Sequence, residues 1–145
     1  MVIEGTTWTI KPEEIPQSVF EEAFKEADYI WESHYTDKES LSGRIRDKSD
    51  IRSDCLLGKL GEYFLMSEFG YVNDDEKWHD LISQQGERTE VKTMRKDRTS
   101  QYKIDQIITK LRNRKRDRRK WFFSTKAIVL LYENDVFEIH KTYDI

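Results

Sequence analysis

The stretch Trp78-His79-Asp80-Leu81-Ile82-Ser83-Gln84-Gln85-Gly86-Glu87-Arg88-Thr89-Glu90-Val91-Lys92-Thr93 decides how this chain folds. Its two ends read as strands, Trp78–Ser83 and Glu87–Thr93, joined by Gln84-Gln85-Gly86. A three-residue loop with glycine third fits a type I turn followed by a bulge, with the glycine in the left-handed conformation. That closure pairs Ser83 with Glu87 and Leu81 with Thr89, and it sets Asp80 opposite Glu90. Directly opposed residues bring their Cβ atoms to about 5 Å, and like charges there destabilise a sheet unless a cation or a shared proton relieves them. Lys92, two residues beyond Glu90, projects from the same face. Oxygen ligands in such a pair suit a hard divalent ion.

A helix is expected just upstream, from about Ile51 to Phe69, ended by Gly70. Within it Glu62 lies between Gly58 and the apolar Leu65 and Met66, which turns its carboxylate toward the protein interior. Gly58 and Gly61 are expected to let this helix approach the sheet closely. Further upstream, Val19, Phe20, Ala23, Phe24, Ala27, Ile30 and Trp31 recur at helical spacing behind Pro12. Met1–Ile10 reads as a short strand and residues 36–50 as a polar loop. Downstream, Ile104, Ile107, Ile108 and Leu111 mark a third helix. Ala127–Tyr132 and Val136–His140 mark two strands around Glu133-Asn134-Asp135. The order predicts an α/β (α+β) domain with a central mixed sheet flanked by helices. One domain fills residues 1–145: a helical extension over about 1–50 packs on or dimerises a core over 51–145.

Composition agrees with a single globular domain. The chain has 145 residues, 37% apolar, 37% charged and 12% aromatic. A chain of this size buries roughly 68% of the surface its unfolded form exposes, enough for one sheet-based core. No run approaches the ~18 apolar residues of a membrane span, and Met1-Val2-Ile3-Glu4-Gly5 does not begin a signal peptide, so an intracellular protein without a membrane partner is expected. The single cysteine, Cys55, excludes an internal disulfide and a cysteine-rich zinc site. The net charge of −3 hides a division: residues 1–90 carry 10 basic and 21 acidic side chains, residues 91–145 carry 15 and 7. Eight of the eleven residues from Lys110 to Lys120 are basic: Lys110, Arg112, Arg114, Lys115, Arg116, Arg118, Arg119 and Lys120. Such asymmetry points to a polyanionic partner.

With Glu62 on a helix, then Asp80, then Glu90-Val91-Lys92, the segment Gly58–Thr93 resembles the PD-(D/E)XK nuclease superfamily, the restriction-endonuclease-like fold. His79 stands where the name-giving motif has proline. The resemblance implies an α-β-β-β-α-β core and a Mg²⁺-dependent DNA endonuclease, with Mn²⁺ able to substitute, leaving 5′-phosphate and 3′-hydroxyl ends. It implies Asp80, Glu90 and the Val91 carbonyl as metal ligands and Lys92 as the group that orients and activates water. Glu62 would complete the shell through water or contact a second ion. Arg95, Lys96, Arg98 and Lys103 are candidates for phosphates near the scissile bond, the 110–120 run for the backbone beyond it. Gln101, Tyr102 and Gln106 echo a glutamine and tyrosine that some family members place on this helix. The partner is then duplex or branched DNA, and a homodimer is expected; one site cuts one strand, so cutting both requires that homodimer or two sequential nicks. A non-catalytic nucleic-acid-binding module, or a junction- or RNA-directed nuclease with the same site, are the alternatives.

Overall fold

The computed structural model describes residues 2–34, 47–73, 81–118 and 124–145. The chain divides into two compact units, one made of the described residues of Met1–Ile10 and Phe64–Ile145, the other of those of Lys11–Tyr63. Among the described residues there are three α-helices and one six-stranded mixed sheet. None of the helices is long and apolar enough to cross a membrane.

In the second unit, a 3-10 turn at Pro12–Glu14 leads into α1 (Gln17–His34), as the proline predicts. Ala23 and Ala27 are wholly buried together with Ile15, Ile51, Leu57 and Leu60. The rest of the expected apolar stripe is less covered, and Phe24 and Tyr29 are exposed. Helix α2 (Lys48–Phe69) begins three residues earlier than its apolar pattern does. The reason is Asp47, whose carboxylate accepts the Asp50 N–H at 2.8 Å while its carbonyl accepts the Ile51 N–H. That is an N-cap, worth about 1 kcal/mol. Asp28 of α1 holds Arg52 at 3.1 Å and Lys48 at 3.3 Å on α2, and the Arg52 guanidinium keeps the Asp28 carboxyl below its usual range. At Gly58 an added Cβ meets nothing within 4 Å among the described residues. An alanine therefore fits there without a clash with any described residue.

The C-terminal end of α2 belongs to the first unit. Gly70, at φ +70°, donates its N–H to the Met66 carbonyl and closes the helix in the left-handed conformation. The sheet has the order β1-β6-β5-β4-β3-β2, from β1 (Thr7–Thr9), β2 (Val72–Asn73), β3 (Leu81–Ile82), β4 (Arg88–Arg95), β5 (Lys126–Glu133) and β6 (Val136–Asp144). All neighbours are antiparallel except β4 and β5, which run parallel and are joined through α3 (Gln101–Arg118). A parallel pair needs such a crossover, since no tight turn can join it.

Each face of the sheet has its own apolar layer. On one face, Ile104, Ile108 and Leu111 of α3 pack on Ala127, Val129 and Leu131 of β5, with Met94 and Tyr143 beside them. On the other, Phe64 of α2 is buried and stacks on Trp8, ring centroids 5.3 Å apart, next to Phe137. Complete burial of such a phenylalanine contributes about 1.5–3 kcal/mol.

Several boundaries differ from those expected. The last turn is Asn134-Asp135 alone, both at positive φ, so Glu133 joins β5 and pairs with Val136. That is the two-residue hairpin geometry that Asn and Asp tolerate best. β6 runs four residues past His140 because a register shift between Val129 and Leu130 restores its pairing with β5. The two-residue strand β2, exposed on both sides, has too short a pattern to be seen in the sequence.

Candidate active site

The expected turn is present. Ser83 donates its N–H to the Glu87 carbonyl at 3.0 Å, Gly86 donates to Ser83 at 2.9 Å, and Gly86 sits at φ +82°. The Ser83 hydroxyl also accepts the Glu87 N–H at 3.0 Å. The pairs Leu81↔Thr89 and Ile82↔Arg88 are those this closure requires. Asp80, expected opposite Glu90, lies outside the described residues, as do Trp78 and His79.

Strand β4 places the other two motif residues together. Arg88, Glu90, Lys92 and Met94 alternate with Thr89, Val91, Thr93 and Arg95, so Glu90 and Lys92 share the face that α3 covers. The Lys92 ammonium lies 3.4 Å from the Glu90 carboxylate, whose side chain is only 11% exposed. Glu90 stands beside Ala127 of β5 and Lys92 beside Val129. The alanine leaves room above the sheet for a carboxylate that a larger neighbour would crowd. A charged pair in the middle of a sheet is costly to desolvate, and such sites are where functional residues concentrate.

Backbone direction brings the Val91 carbonyl into play. The Arg88 carbonyl accepts the Thr125 N–H, so it points to the β5 side. Carbonyls alternate along a strand, so that of Val91 points to the opposite, β3 side. These are hard oxygen donors, a set that fits Mg²⁺ or Mn²⁺ better than a softer ion. Among the described residues no group of three His, Cys, Asp or Glu side chains forms a metal site by itself.

Glu62 belongs to the Lys11–Tyr63 unit. It is partly buried, as its spacing predicts, and lies 3.6 Å from Lys59, which also pairs with Glu26 at 3.4 Å. Burial opposes the Lys59 charge, but the carboxylates of Glu62 and Glu26 outweigh it and hold the ammonium above its usual pKa.

The downstream cations separate by role. Arg95 lies on the sheet face opposite Glu90 and Lys92. Lys96 pairs with Glu138 at 3.7 Å, and Lys103 donates to the Arg98 carbonyl at 3.1 Å. Gln101 bonds Asp105, Tyr143 and His140, which makes it a tie between α3 and β6. Tyr102 is exposed and accepts a bond from Gln106 at 3.1 Å. In the basic run, Lys110, Arg112, Arg114 and Arg116 are exposed on α3. Arg112, however, donates twice to the Asp144 carbonyl, at 2.7 and 3.0 Å. Arg119, Lys120 and the side chains of Lys115 and Arg118 lie outside the described residues, as do Trp121, Phe122 and Phe123.

One polar cluster went unnoticed in the sequence. On the face away from Glu90, a cavity of about 370 Å³ is lined by Tyr71, Gln84, Glu87, Thr89 and Lys126 among others. Burial, and then the Glu87 charge, push the Tyr71 phenol above its usual pKa. Lys126 pairs with both Asp144 and Glu87. These residues come from separate strands and loops at no motif-like spacing, so only the fold assembles them.

No protein-family model, curated protein or solved structure matches this chain.

Proposed function

We propose that the protein is a divalent-metal-dependent nuclease that hydrolyses DNA phosphodiester bonds to 5′-phosphate and 3′-hydroxyl ends. The observation that carries this reading is the Glu90–Lys92 pair, a buried carboxylate and a half-exposed ammonium on one face of β4. The surrounding topology supports it. A helix precedes the antiparallel meander β2-β3-β4, a second helix follows, and β5 lies parallel beside β4. That is the α-β-β-β-α-β order of restriction-endonuclease-like nucleases.

In this reading Glu90 and the Val91 carbonyl, with Asp80 taken from the sequence, hold a Mg²⁺ or Mn²⁺ ion. Such an ion supplies polarisation of the phosphate and a lower pKa for its bound water. Lys92 lies beside Glu90, within ion-pair distance of it. Its ammonium orients the attacking water and stabilises negative charge growing on the phosphate oxygens. The Glu90 carboxylate holds Lys92 over the site, and the apolar layer under α3 keeps both from relaxing.

Supercoiled plasmid incubated with the purified protein in Mg²⁺, Mn²⁺ or EDTA tests the proposal. Relaxed or linear product is expected with either metal, none in EDTA, and none from the Lys92→Ala protein. Intact plasmid and an intact branched DNA substrate in all conditions, with retardation on a gel, would replace the nuclease by a binding module.

A further inference from the structure

We infer that the cavity on the sheet face away from Glu90 binds a small organic cation, an ammonium group on a flat apolar body, with Glu87 as its counter-ion. The site is separate from the proposed metal site. Side chains alternate along β4, so Thr89 in the cavity floor and Glu90 point to opposite faces. Size and lining both suit such a ligand. A volume of about 370 Å³ lies in the range of small-molecule sites, roughly 300–1,000 Å³. Phe69 and Tyr71 give the cavity aromatic walls, and Ile128 adds an apolar floor. Gln84 closes one side by lying over Gly70, in the space that a Cβ there would occupy.

Charge selects the ligand. The charged side chains of the described lining are Glu87 and Lys126. Lys126 is held mainly by Asp144, whose hydrogen bond does most to raise the ammonium above its usual pKa, while Glu87 stands 3.8 Å away. Asp144 is outside the described lining and largely exposed, so Lys126 spends its charge outward. The Glu87 carboxylate keeps a negative field inside. Its reach is visible at Tyr71, where burial, and then the Glu87 charge, raise the phenol. The backbone of Glu87 is pinned by Ser83, at 3.0 Å on both its N–H and its carbonyl, which fixes the root of the carboxylate. Tyr71 and Thr89 share a hydrogen bond between their hydroxyls, which anchors the Tyr71 side chain in the same wall. A cation beside an aromatic ring and a carboxylate gains from the ring quadrupole as well as the charge. An anionic ligand would instead be repelled by Glu87.

Isothermal titration calorimetry at fixed ionic strength tests this, with phenethylammonium chloride, neutral phenethyl alcohol and anionic hydrocinnamate as probes. The wild type should bind phenethylammonium at one site, phenethyl alcohol more weakly and hydrocinnamate not at all. Glu87→Gln should weaken the ammonium about tenfold and leave the alcohol unchanged, as the loss of one charge-assisted hydrogen bond does. Asp144→Asn should weaken the ammonium too, because Lys126 then turns to Glu87 and competes for it. Melting curves show whether each variant is folded. No saturable binding of the ammonium, equal binding of the three probes, or undiminished binding by either folded variant would overturn the inference. If Glu87→Gln does not fold, the ranking of the three probes by the wild type carries the test. None of these readouts depends on cleavage, so the nuclease reading stands or falls separately.

Discussion

The Lys92 ammonium lies 3.4 Å from the Glu90 carboxylate, two residues apart on one face of a strand in the interior of the sheet. Neither charge is there for stability alone, since burying an ion pair returns little net free energy. Coupling between them is nevertheless expected. Lys92→Met leaves the buried carboxylate without this ammonium and should destabilise the protein. Glu90→Gln/Lys92→Met should recover about 1 kcal/mol of that loss, as neighbouring charges in one pair do. Both proteins should lack cleavage activity. Urea denaturation of the two single variants and the double variant checks the cycle, and additive effects would mean that the pair is not coupled.

The pair Lys126–Asp144 predicts a pH dependence with two limbs. A hydrogen bond from Lys126 holds the Asp144 carboxyl below its usual range, and the same bond raises the Lys126 ammonium. A lowered acid contributes stability above its ordinary pKa and loses it as pH falls through the folded value. A raised base contributes below its ordinary pKa and loses it as pH rises through the folded value. Their joint contribution should thus form a plateau from mildly acid to mildly alkaline pH. Melting curves of wild type and Asp144→Asn from pH 2 upward should differ on that plateau, converge at its acid end, and begin to draw together only above the ordinary lysine pKa. Curves offset equally at every pH would show that the pair adds nothing through its charges.

The hairpin register depends on Gly86, whose φ of +82° suits glycine far better than other residues. Among the described residues an added Cβ meets nothing within 4 Å, so the expected strain is that of the backbone conformation. Gly86→Ala should cost about 1–2 kcal/mol and Gly86→Asn less, because asparagine visits the left-handed region more readily. Chemical denaturation of both proteins decides it, and equal stabilities would contradict the turn.

What the sequence made legible follows from how local each signal is. Gly86 after Gln84-Gln85 announces its own turn, and with it the register that the structure has at Leu81↔Thr89. Asp47 could have announced the start of α2, since its carboxylate caps the helix from three residues away. Apolar periodicity alone could not, because Lys48, Ser49 and Asp50 are polar. The placement of Glu90 and Lys92 on one face was legible from strand alternation. The use of Arg112 was not, since its partner is a backbone carbonyl 32 residues away that only the β5–β6 pairing brings near. Charge density thus marks all of 110–120 alike, while a tertiary contact ties Arg112 to the fold.

Gly58 offers the last test, that of the close packing which the sequence suggests. If glycine were needed for close packing, any side chain there would destabilise α2. Among the described residues nothing lies within 4 Å of an added Cβ at this position, in the interior of a 22-residue helix. Glycine costs about 1 kcal/mol relative to alanine in such a position, through the backbone freedom it loses on folding. Gly58→Ala should therefore raise stability by up to about 1 kcal/mol and increase Tm by several degrees. A lower Tm would mean that the space is filled and that the original expectation of close packing was right. The plasmid assay then gives an independent reading. Unchanged cleavage by the stabilised protein is expected, since a methyl group added at Gly58 leaves the side chains of Glu62, Glu90 and Lys92 in place.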